Sequence, residues 1–279
     1  MTRSLVRPTV TVGPARVTAV LDAAGPFFTP LTEAFPGAAP ALREAAELLD
    51  PGPPAAGDGW WLAFRAYVVE VGDRVVLVDT GAASDTALRP SWAPGPDTHL
   101  AHRIADQAGV QASDVTDVVL THLHADHAAG SVDGTGAPAF PDARYLAQDA
   151  ELAALGAGTP LRTGLVDPLR AAGQLHACAG EVEVASAAGV SVRLVPTPGH
   201  TPGHQSLVVA SDGELVVLGG DVFLHALQVV DPGQRYAHDA DPEQAERTRV
   251  AVLNRLRERG GRLGTAHLRA PYLEVDAVG

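Results

Sequence analysis

Lysine is absent from the chain: all 20 basic residues are Arg. That removes Schiff-base catalysis and a phosphate-binding P-loop, both of which need a Lys amine. Basic charge is scarce overall, with 33 acidic residues leaving a formal net charge of −13. No dense basic patch occurs, which argues against nucleic acid and anionic membranes as partners. Cysteine is limited to Cys178, so there is no internal disulfide framework. The opening stretch MTRSLVRPTVTVG contains no apolar run long enough for a signal peptide or a membrane span. The expectation is a cytoplasmic protein. No short-period repeat is present, which excludes a solenoid. At 279 residues and 46% hydrophobic, the chain can bury a sizeable core in one large domain or two small ones.

What the chain does have is concentrated in Thr121–Gly130, THLHADHAAG. His122, His124, Asp126 and His127 are all metal-ligand types, imidazole and carboxylate. The preceding Asp117-Val118-Val119-Leu120 reads as a short buried strand. Ligands at the end of such a strand are held stiffly. In extended chain alternate side chains point the same way, so His122 and His124 can converge on one ion. His127 breaks the alternation and sits beside Asp126, which suggests a second ion close to the first.

Elsewhere the pattern is one of strands with helices between them. Residues 8–21 predict one or two strands. Residues 22–59, rich in Pro, Gly and Ala, read as an arm or excursion with a short helix over 42–49. Trp60–Val71 and Arg74–Val78 predict a hairpin turning at Gly72-Asp73. The spacing of Leu100, Ile104 and Ala108 predicts a helix over 98–108. Strands are expected at 143–146, 182–184, 190–195, 205–209, 215–218 and 263–265. Helices are expected at 149–155, 164–173 and 241–259. Four further residues follow expected strands: His200 and His204 in PTPGHTPGH, Asp221 in LGGD, and His267 in AHL.

THLHADH matches the HxHxDH signature of the metallo-β-lactamase superfamily, and the chain resembles that family from about Tyr67 onward. The resemblance implies a four-layer αββα sandwich, and a single domain, 1–279, is expected, with 22–59 as a covering arm or excursion. It implies His122, His124 and His200 on one metal, Asp126, His127 and His267 on the other, and Asp221 bridging. Two Zn²⁺ are expected, with iron or manganese as alternatives. Asp126 and Asp221 are the expected catalytic carboxylates. His204 is expected to support the ligands by hydrogen bonding, and Asp79 to orient a ligand histidine or a loop. The implied chemistry is hydrolysis by water activated at the metals.

Within the family, the run from Asp221 through Val229-Val230-Asp231-Pro232 to Asp241-Pro242 resembles the N-acyl-homoserine lactonase and methyl parathion hydrolase branch. That implies a neutral hydrophobic lactone, ester or phosphotriester as substrate. Secreted lactamases carry Cys where Asp221 stands, and Cys178 fits no ligand position. The flavin-linked di-iron relatives carry Glu where His124 stands. A metal-dependent oxidoreductase and a glyoxalase-type thioesterase are the alternatives, the latter lacking conspicuous basic residues for an anionic conjugate. Several lactonases place a Tyr three residues beyond the bridging Asp, where this chain has Leu224. Phe27, Phe28, Phe223, Leu224 and His225 are the expected substrate contacts. The partner is a small molecule, and the chain is expected to be a monomer or homodimer.

Overall fold

The computed structural model describes residues 2–5, 8–52, 57–83, 87–94 and 100–275. The chain starts with β1 (Thr2–Leu5), which joins the second of two seven-stranded sheets. The first sheet runs β2 (Thr9–Val12), β3 (Ala15–Pro26), β4 (Trp61–Val71), β5 (Arg74–Val78), β6 (Asp117–Val119), β7 (Arg144–Gln148) and β8 (Leu175–Cys178), in sequence order. The second contains β9 (Val182–Ala187), β10 (Val190–Pro196), β11 (Gln205–Ser211), β12 (Glu214–Leu218), β13 (Arg262–Gly264) and β14 (Tyr272–Val275), ordered β1-β14-β13-β12-β11-β10-β9. The helices are α1 (Leu31–Ala34), α2 (Pro40–Leu49), α3 (Leu100–Ala108), α4 (Ala125–Ala128), α5 (Asp149–Ala154), α6 (Asp167–Ala171), α7 (Ala226–Val230) and α8 (Pro242–Arg259).

Three separate cores show how these elements stack. Strand side chains alternate between faces. In β4, Tyr67, Val69 and Val71 join a core shared with Val192, Leu194, Leu207, Val209, Val216 and Leu218 of the second sheet. The intervening Ala66 and Val68 face the opposite way, against Leu100 and Ile104 of α3, Leu152 of α5 and Leu169 of α6. In β12, Leu215 and Val217 pack outward against Val252, Leu253 and Leu256 of α8. The layers are therefore helix, sheet, sheet, helix, the sandwich expected from the resemblance. Both sheets are covered on both faces, which is why their central strands read as unbroken Val/Leu runs.

Several boundaries differ from the sequence reading. β3 continues through Pro26 past a register shift between Leu21 and Ala23, so residues 22–26 belong to a strand and not to the arm. The arm proper packs Phe35, Ala38 and Ala46 onto the outer face of the second sheet. The helix expected from Thr98 is seen from Leu100, residues 95–99 lying outside those described. The 164–173 helix opens with a π-type turn over Arg162–Val166 before α6. β1, β8, β14, α1, α4 and α7 were not anticipated. No helix among the described residues is long and apolar enough to cross a membrane.

β5 pairs parallel with β6 and β12 parallel with β13, so their C-terminal ends emerge on one edge of each sheet. At that edge the sheets are joined. The Gln205 backbone N–H donates to the Thr121 carbonyl at 2.9 Å, and its side-chain amide donates to the Leu120 and Leu146 carbonyls at 2.8 and 3.1 Å. Gln148 donates to the Gln205 side-chain oxygen at 2.9 Å.

Candidate metal centre

The joined edge carries every residue singled out as a ligand in the sequence. His122, His124, Asp126 and His127 follow β6 and run into α4, whose first residue is Ala125. His200 follows β10, Asp221 follows β12, and His267 follows β13. Two glycines let the loops close in. Gly220 has φ +49°, and a Cβ there would lie 2.8 Å from the Thr121 hydroxyl and 2.9 Å from His204 Nε2. Gly199 has φ +136°, and a Cβ there would lie 2.3 Å from the Ala245 backbone nitrogen of α8. Side chains at such positions are both strained and blocked.

The donor atoms form two groups, one of His122, His124, His200 and Asp221 and one of Asp126, His127 and His267. In the first, His124 Nδ1 lies 2.9 Å from His122 Nε2 and 3.0 Å from His200 Nε2. In the second, the Nε2 atoms of His127 and His267 are 3.1 Å apart, and each is 3.5 Å from Asp126 Oδ2. Asp221 spans both. Its Oδ2 is 3.3 Å from His200 Nε2 and 3.7 Å from His122 Nε2. Its Oδ1 is 3.0 Å from His267 Nε2 and 3.2 Å from His127 Nε2.

The backs of the rings fix which nitrogen faces inward. His127 Nδ1 donates to Asp79 Oδ2 at 2.8 Å, and His267 Nδ1 to the Ala63 carbonyl at 2.7 Å. His200 Nδ1 donates to Asp239 Oδ1 at 3.1 Å. The Thr121 hydroxyl gives its proton to Asp79 Oδ2 at 2.9 Å, so it accepts from His122 Nδ1 at 3.1 Å. Each of these four rings therefore turns an unprotonated Nε2 toward its neighbours when neutral, the arrangement known for metal-bound histidines. His204 is different. Its Nε2 accepts the Asp221 backbone N–H at 3.1 Å and its Nδ1 is 2.9 Å from the Thr197 hydroxyl, so neither nitrogen is left for an ion.

Charge follows the same division. Burial, reinforced by neighbouring imidazoles, holds His122 well below the usual histidine range and His124 down at about 4. Burial also opposes protonation of His127, but the Asp221, Asp126 and Asp79 carboxylates outweigh it and hold that ring well above its ordinary value. For His267, burial is likewise outweighed, chiefly by Asp221.

These residues fit a pair of divalent cations. Convergent imidazole lone pairs repel one another unless a cation lies between them. Asp221 Oδ1 is buried yet has no hydrogen-bond partner, an arrangement that is costly unless something positive satisfies it. Nitrogen and oxygen donors of this kind suit zinc.

The sequence profile of the metallo-beta-lactamase superfamily matches residues 62–267, the stretch that carries all seven of these residues. The chain belongs to that superfamily. A probable metallo-hydrolase of Mycobacterium tuberculosis is 32% identical over 190 residues, 59% of this chain and 58% of that one. An N-acyl homoserine lactonase of Bacillus cereus is 29% identical over 164 residues, 54% of this chain and 60% of the other. The chain thus spans about three-fifths of the length of these curated relatives. Among solved structures, a dizinc quorum-quenching lactonase in complex with its product superposes with TM-score 0.75 at 19% identity, covering 100% of this chain and 95% of that one. A hydrolase of the beta-lactamase superfamily, AbOPH, matches with TM-score 0.75 at 21% identity, covering 99% and 98%. At such identities the superpositions speak for the fold.

Above the two groups opens a cavity of about 300 Å³, at the lower end of the range for small-molecule sites. His124, Asp126, His200, Asp221 and His267 form its floor. Phe27, Phe28 and Leu224, expected as substrate contacts, do line it. Phe223 and His225 do not. Phe223 is fully buried in the core beneath α7 and α8. His225 caps α7, its Nδ1 accepting the Leu227 N–H at 3.1 Å, with its ring against Phe35 and Trp60. Phe223 and His225 have extended backbone on either side of Leu224, before α7 begins at Ala226; their side chains turn into the core and against Phe35 and Trp60, which leaves Leu224 on the cavity. Trp60 packs behind Phe27 and is nearly buried.

The sequence reading missed Leu62, Trp92, Tyr236 and His238, all of which line the cavity. It also missed Asp239, whose second oxygen is 3.3 Å from the buried guanidinium of Arg249 on α8. An Asp just before an Asp-Pro helix start gives no signal that it reaches back to His200.

Proposed function

We propose that the chain is a dinuclear zinc hydrolase that opens neutral, hydrophobic lactones or cleaves similar aryl esters and phosphotriesters. The observation that carries this reading is the division of Asp221, one oxygen toward each group of histidines. His122, His124 and His200 would hold one ion, Asp126, His127 and His267 the other. Two such ions, when bound, supply water activation and polarisation of the oxygen under attack.

The chain's own residues do the rest. Asp79 and Asp239 keep the His127 and His200 rings turned inward. Asp126 and Asp221 are the carboxylates placed to handle protons, a task worth about 10²–10⁴-fold in rate. Opening a lactone adds one water. Its oxygen bonds to the acyl carbon, the acyl–oxygen bond breaks, one water proton ends on the departing alkoxide oxygen, and the other is released as the carboxylic acid ionises.

The wall favours an apolar, uncharged substrate. Phe27, Phe28 and Trp92 form an aromatic cluster with ring centroids 4.4–5.5 Å apart, and Leu62 and Leu224 extend it. Each CH₂ of a substrate buried there is worth about 0.8 kcal/mol. Phe27 and Phe28 begin the arm, which covers the site in this reading. The lactonases among the relatives support the choice of substrate class.

The test is elemental analysis combined with a substrate panel. Protein purified without chelator should hold close to two zinc ions. The zinc-loaded enzyme should hydrolyse hydrophobic lactones and aryl esters with higher kcat/KM than glutathione thioesters, β-lactams or phosphodiesters. A clear preference for the thioester or the phosphodiester would sink this reading.

A further inference from the structure

The floor and wall of the cavity leave one phenol hydroxyl unaccounted for. Tyr236 is 4% exposed and lines the cavity together with Asp221, His200 and Leu224. Its ring leans on His200, with centroids 6.1 Å apart and planes at 32°, and also on Phe35 and His238 at 5.2 Å each. Among the described residues nothing hydrogen-bonds to its hydroxyl. A buried phenol ordinarily finds a partner. Of the other uncommitted N–H groups on the cavity, His238 is exposed, His124 belongs to the ligand group, and Trp92 is set among Phe27, Phe28 and Phe64.

The loop holding Tyr236 is fixed from both sides. The Ala237 N–H donates to the Ala34 carbonyl of α1 at 2.8 Å, and the Ala240 N–H to the His200 carbonyl at 3.1 Å. Asp239 is tied to His200 and Arg249, and its own N–H donates to the Tyr236 carbonyl at 3.2 Å. The phenol is thus positioned before any substrate arrives, the condition under which a donor acts most strongly on developing charge. Burial, with Asp221, Asp126 and Asp239 nearby, raises its pKa, so it keeps its proton.

We infer that Tyr236 donates a hydrogen bond to the substrate's acyl oxygen as that oxygen gains negative charge, making it a catalytic residue contributed by the loop before α8. The inference rests on the hydrolase reading above. It also accounts for Leu224: the residue after the turn at Asp221 contributes apolar surface because the polar contact comes from a different stretch of chain.

Tyr236→Phe keeps the ring packing and removes only the hydroxyl. With zinc content unchanged, kcat for γ-decanolactone should fall about a hundredfold, with KM within about twofold. A kcat close to wild type, or a rise confined to KM, would overturn the assignment. A second readout is independent of turnover. Titrating zinc-loaded wild type with 4-hydroxydecanoate, the ring-opened product, should give a tyrosine perturbation in the near-ultraviolet difference spectrum that Tyr236→Phe lacks. Identical spectra from the two proteins would also overturn it. If wild type hydrolyses nothing on the ester and lactone panel, the hydrolase reading fails, and the spectral comparison still decides whether the phenol meets an acyl oxygen.

Discussion

On the floor of the cavity, four of the clustered imidazoles are pinned from behind by Asp79, Asp239, Thr121 or the Ala63 carbonyl. On its wall, Phe28 is 60% exposed and packs its ring against Phe27 and Trp92. The floor is rigid and polar, with directional bonds that specify an atom and a tautomer. The wall is apolar and tolerant, because dispersion and burial do not depend on direction. Reaction type therefore belongs to the floor and substrate range to the wall, so the two should respond differently to substitution.

The largest effect should come from the one floor residue that serves both halves. Asp221→Asn keeps the shape but weakens the charge, and turnover should fall at least about a hundredfold. Near-normal turnover with full metal content would reduce Asp221 to scaffolding. His267→Ala should separate the two groups, leaving close to one zinc per chain by elemental analysis. Two retained ions would mean that His267 is not a ligand.

Next come the residues behind the rings. Asp79→Asn and Asp239→Asn should each weaken metal affinity about 10–100-fold, measured by chelator competition. Asp79→Asn should act on the group containing His127, and Asp239→Asn on the group containing His200. A uniform loss from both groups would contradict the division of labour seen in the hydrogen bonds.

The wall should give less. Phe28→Ala should lower kcat/KM several-fold for long-chain esters and leave acetyl esters unchanged, since only the longer chain buries CH₂ groups against the ring. An equal loss for both would place Phe28 in the chemistry and not in the fit.

The smallest effect concerns His225, packed behind the wall. Burial, with the Arg269 charge adding to it, pushes this imidazole down to about 3. An unfolded histidine titrates near about 6.5. The folded value lies below the unfolded one, so the stabilisation is complete above about pH 6.5 and is lost as pH falls from there toward the folded value. Asn can still cap α7 but does not titrate. The Tm gap between wild type and His225→Asn should therefore narrow between pH 7 and 5. A gap independent of pH would show that this ring does not titrate on unfolding.

The same contrast explains what was readable in the sequence. The floor was legible because metal chemistry restricts residue type and spacing: His122 to His127 lie within one short run, and His200, Asp221 and His267 each close a strand whose Val/Leu content is plain. The sandwich was legible for a related reason, since strands covered on both faces must be apolar throughout. The wall was legible only in part: Phe27, Phe28 and Leu224 were expected there and line the cavity. Leu62, Trp92 and Tyr236 come from three distant stretches, and nothing in an apolar or aromatic residue announces which cavity it will line. Phe223 and His225 were assigned to the substrate by proximity to Asp221, but in the extended stretch before α7 their side chains turn away from the cavity that Leu224 lines. β8 was missed because its His176 and Ala177 are exposed and leave no apolar run. Asp239 was missed because its partner lies 39 residues away.

The hydrogen bonds of Gln205 carry a consequence for the order of assembly. The first sheet brings His122, His124, Asp126 and His127 to the seam, and the second brings His200, Asp221 and His267. Neither half of the chain can gather either complete set of donors alone. Tight uptake of ions must then follow docking of the two sheets, and bound ions act across the seam as a clamp whose grip grows with free metal concentration. Metal release reports on the separation of the halves, and it would precede the unravelling of either sheet.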